Sequence, residues 1–284
     1  MDQIKIFVIN LKRSPERRNE IIRQMNLYEL KFEFFEAIDG KLISAETIQK
    51  SRERSDHWYK VDEGQDATMK LGEIGVAMSH YNLYQKIISD NLDLAIIIED
   101  DVNFDKRFQQ FLQSRNQVKS IMKNFDLILL GYCTHDAKFD HGAVCSYWGR
   151  NKISKNYYVG IPVIWYWSAI AYVVSRKGAL LLSQKQGQFP CVTADILTAN
   201  SPQYGVKLGV LSKPIVWPGP HNNLSTIQLL DPNRNQIKRE LKMEDHKKRD
   251  FKSLKRSLQN LKAILRKEKV KIKRRQYLFT TDRY

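Results

Sequence analysis

The sequence has few cysteines, and they form neither a metal-binding nor a disulfide motif. Its three cysteines, Cys133, Cys145 and Cys191, include no C-x-x-C pair and have no histidine partners at zinc-finger spacing. A disulfide framework and a structural zinc site are therefore not expected. Such sparse cysteine usage is typical of a protein that works in a reducing cytosol.

The sequence also lacks signals for export and for membrane insertion. No apolar run reaches the length of about 20 residues that a membrane-spanning helix needs. The chain enters the strand-like stretch IKIFVINL directly after Asp2 and Gln3, without the basic segment and cleavage site of a signal peptide. We therefore expect a cytoplasmic protein that is neither exported nor integral to a membrane.

Acidic residues are clearly outnumbered by basic ones only at one end of the chain. The net charge is +16, from 47 Lys and Arg against 31 Asp and Glu. Residues 233–284 hold 19 basic and 6 acidic residues, a charge of +13, whereas residues 1–232 hold 28 and 25, a charge of +3. We predict a nearly neutral body over residues 1–232 and a basic tail over residues 233–284. The body charge argues against a specific nucleic-acid partner.

The most informative stretch is Leu94–Val102, LAIIIEDDV, an apolar run that contains three consecutive acids at its end. A continuous run rich in isoleucine predicts a strand buried on both faces, as in a mostly parallel sheet covered by helices. Ligands in such sheets bind at the carboxyl ends of the strands, where Glu99, Asp100 and Asp101 lie. Clustered carboxylates repel one another, so the pattern predicts a site for Mn²⁺ or Mg²⁺ that substrate phosphates complete. The alternative is a solvated acidic turn.

The first predicted strand, Ile4–Leu11, leads into a helix that Ser14-Pro15-Glu16 opens. Serine suits the N-cap of a helix, proline its first position and glutamate its first turn. Polar residues lie at the carboxyl end of this strand, where a phosphate or a nucleotide would bind. They are Asn10, Arg13, Arg17 and Arg18. The alternative for the arginines is a solvated helix face, which we favour for Arg18 and, by a narrow margin, for Arg13 and Arg17.

A second predicted helix starts at Leu71 and precedes the acidic strand. Apolar residues recur at helical spacing through LGEIGVAMSHYNLYQKII. Gly72, Gly75 and Ser79 share one face, so another backbone or a flat ligand would be able to approach this helix closely. His80 lies beside this face and is a candidate substrate contact, with a structural role as the alternative.

Strand-like and helix-like stretches continue to alternate along the chain. Strands are predicted at Phe32–Ala37, Asp126–Gly131, Ser168–Ser175, Val206–Leu211 and Ile215–Trp217, helices at Asp105–Met122 and Arg176–Ser183, and a long loop at Ser51–Thr68. The aromatic stretch Tyr157–Trp167 suits a ligand-binding wall or the core. Asp195 opens the short helix DILTA and is either a site residue or an N-terminal cap. The pattern predicts an α/β fold with a mostly parallel, twisted sheet flanked by helices.

Several of these stretches together resemble glycosyltransferase family 25, the bacterial lipopolysaccharide and lipooligosaccharide sugar transferases. The resemblance covers roughly residues 4–227 and is carried by VINLKRSPERR, AIDG, GEIGVAMSH, IIIEDDV and AYVVSRKGA, followed by Asp195. Its most specific part is GEIG and MSH ahead of EDDV at a fixed separation. The resemblance implies a GT-A-type fold and marks residues 1–232 as a catalytic domain.

The same resemblance implies an inverting transfer of galactose or glucose from a UDP-sugar. Glu99, Asp100 and Asp101 would form the Asp-x-Asp-type motif, with Asp101 holding Mn²⁺ (or Mg²⁺) at the donor diphosphate. Glu99 or Asp100 would then face the ribose or the donor sugar. The other donor-binding candidates are Asn10, Arg13, Arg17, Gly72, Gly75, Ser79 and His80.

Sugar transfer also needs a base that deprotonates the acceptor hydroxyl, beside a Lewis acid at the leaving diphosphate. Asp195 is our candidate for the base, with Asp100 as the fallback. His221 lies in the loop PGPHNNLST, where GT-A enzymes often bring a late ligand, and is a second candidate for the metal. The family usually has a different polar residue near His221, whereas Ser225-Thr226-Ile227 resembles the family's pattern.

The basic tail carries a predicted amphipathic helix. Its apolar stripe recurs in steps of three and four, at Phe251, Leu254, Leu258, Leu261 and Leu265. Such a helix suits the anionic inner face of the bacterial inner membrane, where a lipid-linked oligosaccharide acceptor would lie. The alternatives are packing on the body or on a partner and, last, nonspecific binding of RNA.

One other class of enzyme remains open. A metal-dependent nucleotidyltransferase or phosphohydrolase acting on a nucleotide-sugar would also use carboxylates at a strand end, such as Asp100 and Asp101. Consumption of a nucleoside triphosphate without a sugar acceptor would favour that class. The identity of the sugar, the linkage and the acceptor depends on several loops that the sequence pattern does not resolve.

Overall fold

A computed structural model describes residues 3–55, 69–132, 147–163, 166 and 168–219. Within these residues the chain folds around an eight-stranded sheet in the order β2-β1-β3-β8-β5-β9-β7-β6, and β10 pairs with β4 beside it. Predictions for His221, for Cys133 and Cys145, and for the basic tail fall outside the described residues, so the division at residue 232 stays a prediction.

The strands agree closely with the predicted ones at the start of the chain and less closely towards its end. They are β1 Lys5–Asn10, β2 Glu33–Glu36, β3 Leu94–Glu99, β4 Val102–Phe104, β5 Leu127–Leu129, β6 Tyr147–Lys152, β7 Tyr158–Pro162, β8 Ala171–Ser175, β9 Leu208–Leu211 and β10 Val216–Pro218. The predicted run Leu94–Val102 is thus divided, because the chain turns at Asp100 and Asp101 before β4.

The helices lie at α1 Pro15–Leu27, α2 Ala45–Arg54, α3 Leu71–Ser89, α4 Lys106–Gln113, α5 Arg115–Met122, α6 Arg176–Gln186 and α7 Ala194–Ala199. The prediction of one helix over Asp105–Met122 is wrong, since Ser114 separates α4 from α5 and its hydroxyl donates to the Gln110 carbonyl. The loop predicted from Ser51 is also corrected, because residues 51–54 end α2.

The direction of the strands confirms a mostly parallel sheet. β1 is parallel to both β2 and β3, and β5 is parallel to β9. β8 runs antiparallel to β3 and β5, β7 runs antiparallel to β9, and β6 runs antiparallel to β7. Six of the eight strands in this described sheet therefore point one way, and β7 and β8 point the other way.

The core lies on both faces of this sheet, as the apolar run of β3 predicts. Ile96 and Ile98 pack on one face with residues of α1, α4 and α5. Ala95 and Ile97 pack on the other face with residues of α3, α6 and α7. All four side chains are fully buried, and each buried isoleucine stabilises the fold by about 1.5–3 kcal/mol. This double burial leaves the carboxyl end of β3 as the place where its polar residues emerge.

Candidate active site

The carboxyl ends of β1 and β3 meet at one edge of the sheet because the two strands are parallel neighbours. Their register pairs Ile9 with Glu99, so Asn10 and Asp100 come next to each other. The Asn10 amide donates to Asp100 Oδ2 at 2.7 Å, and both residues are buried. Two polar residues that the sequence places at the ends of separate strands are thus in direct contact in the fold.

Arg17 links the two consecutive aspartates. It lies in the first turn of α1, directly beyond β1, and its Nη1 atom is 3.0 Å from Asp100 Oδ1 and 3.3 Å from Asp101 Oδ2. The side chain of Arg17 is 11% exposed, and those of Asp100 and Asp101 are 9% and 16% exposed. Ion pairs this well shielded are only weakly screened by salt. Arg17 is therefore an effective counter-charge to Asp100 and Asp101.

The acids outnumber the positive charge that faces them. Burial, followed by the charges of Asp195 and Asp100, raises the pKa of Glu99 to about 8, and Arg17 opposes the rise. Burial and the neighbouring Glu99 raise the pKa of Asp101 to about 7, again against Arg17. Carboxyls with such raised pKa values bind a proton or another cation readily near neutral pH. The site is therefore electronegative, and Arg17 compensates only part of its negative charge.

Asp195 joins this cluster from a distant part of the chain. Helix α7 is capped by Thr193, whose hydroxyl accepts from the Ile196 N–H, so Asp195 is not the N-cap. Instead, Asp195 Oδ1 accepts the backbone N–H of Ala169 at 2.7 Å. Its charge raises the pKa of Glu99, which places the two acids within electrostatic reach. Sequence order alone does not show this convergence, since 96 positions separate them.

His80 lies behind the site and is 1% exposed. Its Nε2 atom is 3.2 Å from Glu99 Oε1, and its Nδ1 atom is 2.7 Å from the Tyr172 hydroxyl. Burial lowers the pKa of His80 to about 4, although the charge of Asp195 opposes the change. His80 thus contacts Glu99 and Tyr172 in this structure, and the predicted donor contact through His80 stays a prediction.

The small face of α3 is covered by another stretch of backbone. A Cβ atom on Gly75 would lie 2.7 Å from the Ile38 carbonyl oxygen, and one on Gly40 would lie 2.9 Å from the Gly72 nitrogen. The Ser79 hydroxyl accepts the Ile38 N–H at 2.8 Å. Of the two predicted uses of this face, close approach of a backbone is the one observed. The donor-binding prediction for Gly72, Gly75 and Ser79 gains no support from this packing.

Arg13 and Arg18, the two remaining arginines of the predicted edge, contact other residues than the four acids of the cluster. Arg13 forms an ion pair with Asp39, in the turn after β2, and lowers the pKa of that carboxyl. Arg18 is exposed, as favoured from the sequence, and its guanidinium lies 3.8 Å from the centre of the Phe34 ring. Arg13 therefore lies at the rim of the site, where it stays a candidate for a donor contact.

A divalent cation at the acidic edge would need a substrate to supply some of its ligands. Among the described residues, no three His, Cys, Asp or Glu side chains are arranged to hold a metal ion by themselves. Mg²⁺ and Mn²⁺ commonly use one or two protein carboxylates together with water and phosphate oxygens. Asp101 and Asp100 supply such hard oxygen atoms within a cluster whose negative charge exceeds the charge of Arg17. Gly219 N–H donates to the Asp101 carbonyl at 2.6 Å, so the segment that leads towards His221 passes beside the cluster.

Comparison with known protein families shows the family to which the chain belongs. The model of "Glycosyltransferase family 25 (LPS biosynthesis protein)" matches residues 3–198, which is 196 of the 284 residues. The chain belongs to glycosyltransferase family 25. The match includes every described side chain of the acidic cluster, from Asn10 and Arg17 to Asp195.

Relatives of this family 25 member are found among animal proteins. A "Glycosyltransferase 25 family member" of Drosophila melanogaster is 32% identical over 179 residues, which cover 63% of this chain and 27% of the relative. Human "Procollagen galactosyltransferase 2" is 28% identical over 176 residues, which cover 62% of this chain and 26% of the relative. The matched segment thus spans about a quarter of each of these relatives.

Sequence reasoning missed two residues next to the candidate site. Tyr172 and Tyr84 are fully buried, and their hydroxyls lie 2.8 Å apart behind His80. Tyr172 belongs to the predicted strand AYVVS and Tyr84 to the predicted helix, so the pattern indicates core positions for both. A tyrosine inside an otherwise aliphatic strand is the signal that a polar partner is required there.

Proposed function

We propose that this family 25 member transfers a hexose, galactose or glucose, from a UDP-sugar to a hydroxyl of an oligosaccharide acceptor, with inversion at the anomeric carbon. The observation that carries the proposal is the group of Glu99, Asp100 and Asp101 at the carboxyl edge of the sheet, where Arg17 contacts the two aspartates and Asp195 lies within electrostatic reach of Glu99. A nucleotide-sugar presents the groups that such a cluster recognises, because it combines a diphosphate with several hydroxyls. The printed name of the human relative, a galactosyltransferase, supports a hexose donor.

Asp101 and Arg17 would act on the leaving side of the reaction. Asp101 would hold a divalent cation, and when bound this ion would compensate the charge that develops on the departing diphosphate. Arg17 already lies between Asp100 and Asp101 and would keep both carboxylates in place. Glu99 retains 23% exposure of its side chain, so it would accept a hydroxyl of the ribose or of the sugar.

Asp195 is better suited than Asp100 to act as the base. Asp100 accepts hydrogen bonds on both oxygens, from the Arg17 guanidinium on Oδ1 and from the Asn10 amide on Oδ2. Hydrogen bonds to the ionised form reduce the tendency of a carboxylate to take a proton. Asp195 Oδ1 accepts the Ala169 N–H, which fixes the orientation of the carboxylate. The acceptor hydroxyl would lose its proton to Asp195 as its oxygen bonds to the anomeric carbon and the bond to UDP breaks.

The acceptor that best suits the chain is a lipid-linked oligosaccharide of lipooligosaccharide or lipopolysaccharide synthesis. The description of the matching family names lipopolysaccharide biosynthesis. The tail charge of +13 favours the anionic inner face of the bacterial inner membrane, where such an acceptor would be reached by a peripheral protein. Within the part of the chain that the structure describes, no helix combines the length and apolar character needed to cross a bilayer.

A panel of UDP-sugars tests the proposal. Released UDP is measured with and without an oligosaccharide acceptor, in the presence of Mn²⁺ and after chelation. We expect acceptor-dependent release with one hexose donor and a loss of at least about 100-fold in kcat/KM for Asp101→Asn. Asp93→Asn is a matched control, because Asp93 precedes β3 at its opposite end and its side chain is 92% exposed.

Two outcomes would contradict this function. Near-normal turnover by Asp101→Asn after chelation would reject the role of Asp101 at the diphosphate. Consumption of a nucleoside triphosphate or nucleotide-sugar without any sugar acceptor would instead favour the nucleotidyltransferase or phosphohydrolase class.

A further inference from the structure

A chain of buried hydrogen bonds runs from the core of the protein to Glu99. The hydroxyls of Tyr84 and Tyr172 are 2.8 Å apart, the Tyr172 hydroxyl is 2.7 Å from His80 Nδ1, and His80 Nε2 is 3.2 Å from Glu99 Oε1. Tyr84 and Tyr172 are fully buried and His80 is 1% exposed. The His80 ring also stacks on the Tyr172 ring, with an angle of 19° between their planes. Three secondary-structure elements, α3, β8 and β3, thus contribute to one polar chain.

The chemistry of these groups makes the chain directional. His80 is neutral in this buried position, so one ring nitrogen donates and the other accepts. An ionised Glu99 can only accept, which makes Nε2 the donor and leaves Nδ1 to accept from Tyr172. The Tyr172 oxygen then accepts from Tyr84. If the Glu99 carboxyl carries the proton, all three bonds reverse together and the same contacts persist.

In both arrangements one oxygen of Glu99 is held from the core side. Its side chain nevertheless keeps 23% exposure, so the carboxyl faces the buried chain on one side and the site on the other. A free glutamate side chain rotates about three bonds, and an anchor on Oε1 removes much of that freedom before a ligand arrives. Groups that support a ligand-binding side chain in this way commonly change affinity by about 10- to 100-fold when they are removed.

We propose that His80 and Tyr172 are positioning residues that fix the Glu99 carboxyl so that it accepts a hydroxyl of the donor ribose or sugar. This assignment rests on the proposed function, in which Glu99 contacts the donor. It replaces a direct donor contact by His80 with an indirect one. It also gives Tyr172 a role in specificity, although this residue lies in the core of the sheet.

Two amide variants of His80 separate the positioning role from a packing role. In Gln, the amide nitrogen reaches the region of the imidazole Nε2 atom, whereas in Asn it stays in the region of Nδ1. His80→Gln should therefore retain the hydrogen bond to Glu99, and His80→Asn should lose it. We expect UDP-hexose affinity, measured by calorimetry on the full chain, within about 3-fold of wild type for Gln and reduced roughly 10-fold or more for Asn.

Tyr172→Phe provides a second test if the His80 variants fold poorly. It removes the hydroxyl that orients His80 and keeps the ring, so donor KM should rise about 10-fold with a smaller change in kcat. Tyr132→Phe is the matched control. Tyr132 is 2% exposed, and its hydroxyl donates to the Leu211 carbonyl at 2.8 Å, a contact that is not one of the hydrogen bonds between Tyr84 and Glu99. Both variants should lose similar thermal stability, but only Tyr172→Phe should lose donor affinity.

A double-substitution cycle with Glu99→Ala completes the test. In the Glu99→Ala background, His80→Asn should cause no further loss of donor affinity while its effect on the melting temperature persists. Equal affinities for the Gln and Asn variants, or additive losses in the cycle, would overturn the positioning role. If the wild-type chain binds no UDP-hexose at all, the proposed function fails, and this inference fails with it.

Discussion

Replacing Arg17 with methionine would remove the main positive charge within the acidic cluster. Methionine keeps a similar length and can fill the same space, so the change tests charge more than packing. Arg17 contacts Asp100 and Asp101 at 3.0 and 3.3 Å, and its side chain is 11% exposed. Removing one partner of a buried ion pair costs about 3–5 kcal/mol when the other partner stays charged. The loss therefore depends on how many of the acids are ionised.

The pKa values give the sign of this dependence. Glu99 and Asp101 have raised pKa values in the folded protein, so the unfolded chain loses these protons first, and the free energy of unfolding falls from about pH 4 until the folded carboxyls ionise at about pH 7 to 8. For Asp101 alone, the rise in pKa from 3.8 to about 7 corresponds to a loss of about 4 kcal/mol, at 1.36 kcal/mol per pH unit between these two values. Without Arg17 both pKa values rise further, and the destabilisation grows at high pH.

We expect Arg17→Met to lower the free energy of unfolding by about 3 kcal/mol at pH 8.5 and by about 1 kcal/mol at pH 5. At pH 5, below the raised pKa values of Glu99 and Asp101, neither carboxyl carries a charge that Arg17 has to compensate. The larger loss corresponds to a melting temperature lower by roughly 6–12 °C. Thermal unfolding in the presence of a chelator, at both pH values, measures the difference.

The control for this experiment is Arg18→Met. Arg18 lies on the same helix and carries the same charge, but it is exposed, lies over Phe34, and reaches the cluster only through a long hydrogen bond of 3.5 Å from its Nη1 atom to the neutral Asn10 Oδ1. Its replacement should shift the melting temperature by a similar small amount at both pH values. If Arg17→Met is equally destabilising at pH 5 and pH 8.5, the stabilisation by Arg17 comes from packing, and the electrostatic account of the cluster is wrong.

Two further predictions concern the base and the tail. Asp195→Asn should lower kcat by about 100-fold or more and leave UDP-sugar affinity within about 3-fold, because a base acts mainly in the transition state; an equal loss of affinity in calorimetry would place Asp195 in the donor pocket. Leu258→Asp should weaken cosedimentation with anionic vesicles more than Asn260→Asp, which changes the charge equally on the opposite face of the predicted helix. Equal weakening by the two variants would reduce tail binding to charge alone.

The edge of the sheet that carries the acids is predictable from the sequence. The run LAIIIEDDV predicts a strand whose isoleucines are buried on both faces of a sheet. Parallel pairing with β1 then places its acids next to the end of β1. The Ser-Pro-Glu start of α1 likewise predicts that Arg17 lies just beyond β1. Local rules suffice here because strand ends and helix starts follow from residues that are close in the chain.

Contacts between distant segments are not predictable in the same way. The hydrogen bond between His80 and Tyr172 joins positions 92 residues apart, and the apolar pattern of both elements gives no sign of it. The packing of Gly75 against Ile38 depends on where the turn after β2 lies in space. Helix α2 was missed for another reason: AETIQKSRER has few apolar residues, although Ser44 caps it by accepting the Thr47 N–H. That serine is the signal that would have located the helix.

The energetic cost of the acidic edge itself argues for a binding function. A strand end that served stability alone would not bring Glu99, Asp100 and Asp101 together within electrostatic reach of Asp195, because the raised pKa values of Glu99 and Asp101 mean that ionising them in place is unfavourable. A ligand that binds only the folded form stabilises it by about 2.7 kcal/mol at a concentration 100 times its Kd. A cationic ligand, or one that brings a cation with it, relieves the repulsion among these acids. The cluster therefore lowers the stability of the ligand-free protein, and a cationic ligand would restore it. This relation is expected of residues that were selected for binding.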